Sequence, residues 1–497
     1  MPDNFKAHET PDGIYQPNGD PSIVGSDRTD DLAATAPNSG VVVIDADDEH
    51  DRNFVPPRGR GAAAIVLGVS QSIDNSEGGV SKTFFPQITA AFGIGDTGLG
   101  LLTAIGMYAR MIFGPGWAIL ADRFGRKRIL FVVTGLWGVW TLATGLAQSW
   151  TQLLILYSIA LVGTVASEPI LNGLLGSLYR SSERGKAFGA VRGTSSALGF
   201  ILTPLLGQFG GNPDGWRYAM YVLGGLSIVT GILILIFVHE PKQVSRENAQ
   251  ELKDEAGIFK WSDALKLFKI PTLALMVPML LFVSSLIMFS FQGTLWARDL
   301  GYGVTNASYL YTVMQIGMML SAFLGGFLGD LFSRRFGPKG RVLLFQIYAL
   351  AFAALTYVMT QLPQVFDPDV SRGTTADPIT NSPSIAYYVV VFLTGLVFSI
   401  GFSGCVLPMV STVAPKQLSA TAFAVLFSLV QGFITAGLSL IAGAVSQRLN
   451  NLQLTLLYFV PIPYVLNAIF WFVFYKVYPS DVARQSERTR LVEAGQF

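Results

Sequence analysis

Apolar stretches of 20 or more residues recur along the chain from about residue 61 to residue 478, separated by short polar loops. A helix rises ~1.5 Å per residue, so each stretch can cross a hydrocarbon core of roughly 30 Å. Twelve spans are predicted: 61–91, 97–120, 129–148, 151–178, 185–210, 216–239, 271–298, 304–330, 341–361, 384–412, 418–446 and 452–477. The longest polar break, 240–270, separates the sixth from the seventh. The pattern therefore predicts an all-α membrane protein with two six-helix bundles, at 59–239 and 271–478. A linker fills 240–270, and a short C-terminal tail 479–497 is expected on the cytoplasmic side. Within the linker, Ile258 to Ile270 mixes Phe259, Trp261, Leu265 and Phe268 with Lys260, Lys266 and Lys269, the pattern of an amphipathic helix lying on a membrane surface.

Composition agrees with this reading. Charged residues make up 13% of the chain and apolar residues 51%, with a mean hydropathy of +0.46. Soluble proteins carry about twice that charge. The net charge of +1 conceals an uneven division: residues 1–58 hold 12 acidic and 4 basic side chains, a net of −8, so the remainder is +9. With one short apolar run, Val41 to Ile44, residues 1–58 are expected to be a disordered acidic tail. No charged segment leading into a short apolar core and a small-residue cleavage site opens the chain, so no secretory signal is expected. The single cysteine, Cys405, excludes a disulfide framework, and His8, His50 and His239 lie in the tail or at a helix end. Neither a metal centre nor a cofactor is expected, which leaves a proton gradient as the energy source.

Lysine and arginine set the expected orientation, because basic loops stay cytoplasmic. Loops after even-numbered spans carry eighteen, while those after odd-numbered spans carry four, Arg217, Arg298, Arg372 and Arg448. Both termini are therefore expected in the cytoplasm, with the protein in the plasma (inner) membrane.

After the second span comes Ala118-Ile119-Leu120-Ala121-Asp122-Arg123-Phe124-Gly125-Arg126-Lys127-Arg128, and 208 residues beyond Asp122 stand Gly326-Phe327-Leu328-Gly329-Asp330, then Arg334, Arg335, Lys339 and Arg341. The first run resembles the G-x-L-A-D-R-x-G-R-[KR] loop of the major facilitator superfamily, with Ala118 for the leading Gly, and the second resembles its degenerate twin one six-helix repeat later. Glu183-Arg184-Gly185-Lys186-Ala187 after the fourth span is a third matching element. The resemblance covers residues 61–478 and implies two pseudo-symmetric bundles and transport by alternating access. In such a loop, Asp122 and Asp330 can face a helix N-terminus of the other bundle, and arginines such as Arg123, Arg126 and Arg184 can pair with carboxylates such as Glu183 to hold one face closed. A plain topology signal is the alternative role for the basic cluster.

Within the superfamily, Pro86-Gln87-Ile88 and the run Phe92-Gly93-Ile94-Gly95-Asp96 resemble the spinster group of lipid transporters. That group has a carboxylate in the first helix and a Glu in the fourth, which Asp74 and Glu168 match. Asn75 and Ile159 stand where the group has Arg. The resemblance implies a lysophospholipid-like substrate. The fifth span holds Gly199-Phe200-Ile201-Leu202-Thr203-Pro204-Leu205-Leu206-Gly207, which resembles the G-x-x-x-G-P-x-x-G element of drug and proton antiporters and equally suits plain helix packing.

Ionisable residues at membrane depth are costly unless paired or wetted, so each is a functional candidate. Six are expected there, Asp74, Glu77, Lys82, Arg110, Glu168 and Arg192, all in the first bundle. Depth along the helices brings Asp74 level with Arg110 and suggests Glu168–Arg192 as a pair, while Asp74 and Glu77, three residues apart, are expected to share a face. Gly78-Gly79 and Pro86 are expected to weaken the first helix beside the site. Asp74, Glu168 and Glu77 are the proton-coupling candidates, and Arg110, Arg192 and Lys82 the counter-charges or anion ligands. In the second bundle Gln292, Gln315, Gln431 and Asn467, with Tyr309, Tyr311, Tyr464 and many Phe, are expected to form a less charged wall.

The function expected from this is a proton-coupled secondary transporter of an amphipathic or hydrophobic organic solute, working as a monomer in the lipid bilayer and without nucleic acid. A drug or metabolite exporter, an organic-anion carrier and a non-transporting receptor on the same scaffold are the alternatives. An enzyme is not expected, since the spans hold no His and no metal-ligand cluster.

Overall fold

The computed structural model describes residues 57–493 apart from 58, 240–266, 284, 369, 371–381 and 416–417. The acidic tail and nearly all of the amphipathic linker segment lie outside the described residues. The described chain is helical, without strands. Its long helical stretches are α1 (Arg60–Thr83), α2 (Thr97–Phe124), α3 (Arg126–Gly145), α4 (Trp150–Leu178), α5 (Ser181–Gly207), α6 (Gly215–Phe237), α7 (Pro271–Asp299), α8 (Gly303–Phe336), α9 (Pro338–Gln361), α10 (Ile385–Val413), α11 (Thr421–Leu449) and α12 (Leu452–Arg488). Ten of these are long and apolar enough to cross a bilayer. The other two, α1 and α5, have 24 and 27 residues but carry the charges Asp74, Glu77, Lys82 and Arg192 in their interiors. The last helix continues through the segment expected as a tail, to Glu493.

Small residues set the packing. In the first half, α3 meets α6 where Gly135 faces Gly231 and Gly138 faces Ser227, and in the second half α8 meets α10 at Gly317 and Gly395. In a membrane, close backbone approach of this kind replaces the hydrophobic drive between helices. The second half also has an aromatic core, with Phe345 stacked on Trp471 at 3.6 Å and Tyr464 tilted on Phe352 at 4.6 Å. Tyr464 is thus part of that core.

One local expectation is corrected, and a second helix break is added to it. The helix α1 stays helical through Gly78-Gly79 and breaks only at Phe84, two residues before Pro86. Proline lacks an amide hydrogen and its ring clashes with the carbonyl four residues earlier, so it restarts a helix rather than continuing one, whereas glycine only lowers helix stability by about 1 kcal/mol, which packing can override. On α4 the regular helix is interrupted between Thr164 and Ser167, upstream of Pro169, and this break sets Glu168 in the first turn of the second segment.

Between the halves, α2 packs on α11 and α5 on α8. Gly207 is the contact point on α5, against Ser308 of α8, which gives the Gly199–Gly207 run a packing role.

Candidate functional site

Three helices of the first half enclose a cavity of ≈ 180 Å³. From α1 it takes Gln71, Asp74, Asn75, Gly78, Gly79 and Lys82, a run spaced three and four residues apart and therefore one face of a helix. Leu102, Thr103, Gly106, Met107 and Arg110 present the matching face of α2, and α4 adds Tyr157, Thr164, Ser167 and Glu168 around its break. Among the described residues of the second half, only Phe289 joins the lining. Four of the six membrane charges thus meet in one place.

Their partners differ from those expected. Glu168 accepts a hydrogen bond from Arg110 Nη1 at 3.1 Å, so its partner is Arg110 and not Arg192, which is exposed on α5 and absent from the lining. Rise per residue fixes height in the membrane but not direction around the helix. The Arg110 and Glu168 side chains keep 64% and 48% exposure, so the pair is worth about 0–1 kcal/mol. Asp74 is 5% exposed and its Oδ2 has no hydrogen-bond partner among the described residues. Lys82 has no carboxylate at ion-pair distance among them.

Glu77 turns away from this cavity. Positions three apart differ by about 60° around a helix, enough for a different neighbour. Its Oε1 accepts from Ser227 of α6 at 2.7 Å and its Oε2 from Thr164 at 3.0 Å. It is a carboxylate held by hydroxyls inside the first half.

The polar residues expected from the second half do not gather here. Gln292 and Asn467 are fully buried with both amide ends unbonded among the described residues, and Gln431 is buried. Gln315 faces α5, its Oε1 4.0 Å from where a Cβ on Gly199 would stand. Tyr311 donates to the Phe289 carbonyl at 2.5 Å, and Tyr309 accepts from Gln208 of the first half at 2.8 Å.

One end of the molecule is tied across the halves. Asp96, just before α2, receives both Arg298 Nη1 at 2.5 Å and Nη2 at 3.0 Å, and its Oδ2 also accepts from Ser446 of α11 at 2.6 Å. Arg298 Nε reaches Asp299 at 2.6 Å, and Asp299 accepts from the Leu452 amide at 3.3 Å. Gln447 accepts from the Thr97 hydroxyl. Below this lock the backbones touch: a Cβ on Gly443 would lie 2.7 Å from the Asp96 carbonyl oxygen, and one on Gly100 would collide with the Ser439 carbonyl. Sequence reading missed the lock. Asp96 stood in a recognised run and Arg298 in a loop count, and nothing in a single sequence links positions 202 residues apart.

At the opposite end the corresponding contacts among the described residues stay within one half. Asp122 accepts from Arg126 at 2.8 Å, four residues on, and Arg126 donates to the Gly173 carbonyl at 2.7 Å. Glu183 is bound by Arg60, at 2.5 and 3.1 Å, and not by the arginines of the loop. Asp330 lies 3.5 Å from Arg341 in its own half, so neither Asp is seated on a helix of the other half. Gly125 and Gly337 turn the two motif loops with φ of 98° and 61°, values that side-chain-bearing residues rarely adopt. Arg123 and Arg335 lie over the rings of Phe124 and Phe336, at 5.4 and 5.8 Å. Gly326 has open space where a Cβ would stand, while Arg184 and Arg334 lie near the same end.

A polytopic helical chain with an internal charged cavity, and with an ion-pair tie between its halves at one end and none at the other among the described residues, has the architecture of a membrane transporter. The chain belongs to the Major Facilitator Superfamily, whose profile matches residues 67–438, and that family consists of transporters rather than enzymes. A probable sulfoacetate transporter, SauU, of Cupriavidus necator is 33% identical over 173 residues, 34% of this chain and 39% of the relative. The sphingosine-1-phosphate transporter SPNS2 of Danio rerio is 32% identical over 165 residues, 32% of each chain. The matches thus span about a third to two fifths of these relatives. A bacterial homologue of the human lysosomal transporter Spinster, solved in an inward-facing, unoccupied conformation, superimposes with a TM-score of 0.61 at 18% identity, covering 87% of this chain and 99% of the other. The chain is therefore an integral, multi-pass membrane protein with the major facilitator fold.

Proposed function

We propose that this chain is a proton-coupled secondary transporter that moves an organic solute with an ionic head by alternating access. The observation that carries the reading is the cavity where Asp74, Lys82, Arg110 and Glu168 converge beneath a lock between the halves. The basic motif loops set the untied end in the cytoplasm, with both termini, and make the locked end the outer one. The cavity then opens inward. Asp74 and Glu168 are the proton carriers, Glu77 an internal reserve, and the proton gradient supplies the energy without a cofactor. The protein works as a monomer in the plasma membrane.

The kinship with a sphingosine-1-phosphate transporter supports a lysophospholipid-like substrate. An organic-anion carrier is the second reading, favoured by two cations in the cavity and by kinship with a sulfoacetate transporter. The test is pH-gradient-driven uptake of lysophospholipid and of sulfoacetate into proteoliposomes holding wild type, Asp74→Asn or Glu168→Gln. Coupled uptake that falls at least about tenfold in either variant supports the reading. No flux of either solute in wild type removes it in favour of a receptor, and equal flux in all three proteins removes these carboxylates as carriers.

A further inference from the structure

The charges in the cavity differ in how they are satisfied. Lys82 lines it with no carboxylate partner among the described residues, within electrostatic reach of Arg110. Arg110 gives one of its two terminal nitrogens to Glu168 in a single bond of 3.1 Å, with both side chains half open to solvent. A guanidinium has five donors in a planar fork suited to an oxyanion, so most of its capacity is unspent in this bond. Space lies beside the two cations: Gly78 and Gly79 line the cavity, and a Cβ on either would meet nothing within 4 Å. Glycine inside a helix lowers its stability, so two in succession facing a void create volume and serve no local packing. The cavity is smaller than the ~300–1,000 Å³ of sites that hold whole drug-sized ligands. It has room for a head group, with Leu102, Met107, Leu161 and Phe289 beside it for the start of an apolar chain.

Resting on the transporter reading above, we propose that Lys82 and Arg110 are the head-group site for an organic oxyanion, a carboxylate, sulfonate or phosphate, and that Glu168 is its built-in competitor. The substrate anion takes the Arg110 fork, Glu168 loses its counter-charge, and the released carboxylate takes up one proton from the solution that fills the open cavity. Substrate and proton thus enter together, coupled by competition for one guanidinium. The other titratable groups lining the cavity are Asp74 of α1 and Tyr157 of α4, and the second half contributes Phe289, which does not titrate. Protonated Glu168 cannot compete, so anion binding tightens as pH falls.

The test measures binding, separately from flux, on the full-length protein purified in neutral detergent. Octanesulfonate is the probe, because a sulfonate stays ionised over about pH 3–7.5, a range that spans ordinary carboxylate titration; octyltrimethylammonium is the probe of opposite charge. Calorimetric titration is expected to show sulfonate binding that tightens toward low pH. Lys82→Met and Arg110→Gln each weaken it at least about tenfold. Glu168→Gln, with Glu168→Ala as a second variant, binds several-fold tighter than wild type at the upper pH and loses the pH slope, whereas Asp74→Asn keeps it. Tighter binding of the ammonium probe than of the sulfonate overturns the proposal. So does a Glu168 variant that binds no tighter than wild type, or a slope that survives in Glu168→Gln and disappears in Asp74→Asn. These results leave transport itself standing, whereas intact binding with no flux under a proton gradient overturns the transporter reading instead.

Discussion

The two ends of this molecule use the same residue types to opposite effect. At one end Asp96 and Arg298 are almost fully buried, bond through two nitrogens and join the halves. At the other, Asp330 is 67% exposed and lies 3.5 Å from Arg341 of its own half, and Asp122 is satisfied by an arginine four residues away. Breaking a buried, well-bonded pair by removing one partner costs about 3–5 kcal/mol, whereas an exposed pair is worth about 0–1. The difference teaches that charge count alone does not locate a gate. The burial of the pair and the side of the molecule its partner belongs to decide which end is held shut.

The comparison can be broken at its strong point first. Arg298→Ala leaves the Asp96 carboxylate buried without its cation and is expected to remove about 3–5 kcal/mol from the locked state. Hydrogen exchange is the readout, with faster exchange expected at residues 95–100 and 439–447. Unchanged exchange there would show that Asp96–Arg298 does not hold the end together. A step down in size, Gly100→Ala or Gly443→Ala forces a methyl against the backbone of the facing helix, at a cost of about 1–3 kcal/mol. Thermal unfolding in detergent should show a lowered midpoint for each, and the same change at Gly78, where space is open, should not.

The smallest effects sharpen the other side. Glu168→Gln removes a half-exposed pair and is expected to change stability by less than about 1 kcal/mol while altering coupled uptake severely. Asp330→Asn should leave the unfolding midpoint within error, since its bond is long and exposed. A large loss of stability in Asp330→Asn would mean that the untied end is held by contacts equal to those of the lock.

Much of this was legible in the sequence, in one dimension. Apolar runs gave the spans, and the charges that dilute α1 and α5 gave the cavity-bearing half. Of the α1 face that lines the cavity, Asp74 and Lys82 were named from the sequence, whereas Gln71 of the same face was not. What was not legible is direction around the helix axis. Depth placed Arg192 near Glu168, yet Arg192 is exposed on α5 and Arg110, from another helix, makes the bond. Asp74 and Glu77 were read as one site, yet the turn between them sends one to the cavity and the other to Ser227. Amide side chains in the second half were read as a cavity wall because polar groups in a membrane need a reason, and the structure buries Gln292 and Asn467 within the protein instead. The Asp96–Arg298 lock depends on how the halves meet, which no pattern within either half encodes.

The claim that the cavity is closed at the Arg298 end and open at the motif end has a direct test. The chain's only cysteine, Cys405, is buried, so a cysteine introduced at Asn75, an exposed residue of the cavity wall, reports accessibility without background. Sealed membrane vesicles of each orientation are treated with a membrane-impermeant maleimide. Asn75→Cys is predicted to label rapidly from the face carrying the motif loops and slowly from the face carrying Arg298, with Arg298→Ala restoring labelling on the second face. Faster labelling from the Arg298 face in the otherwise wild-type protein would contradict the account.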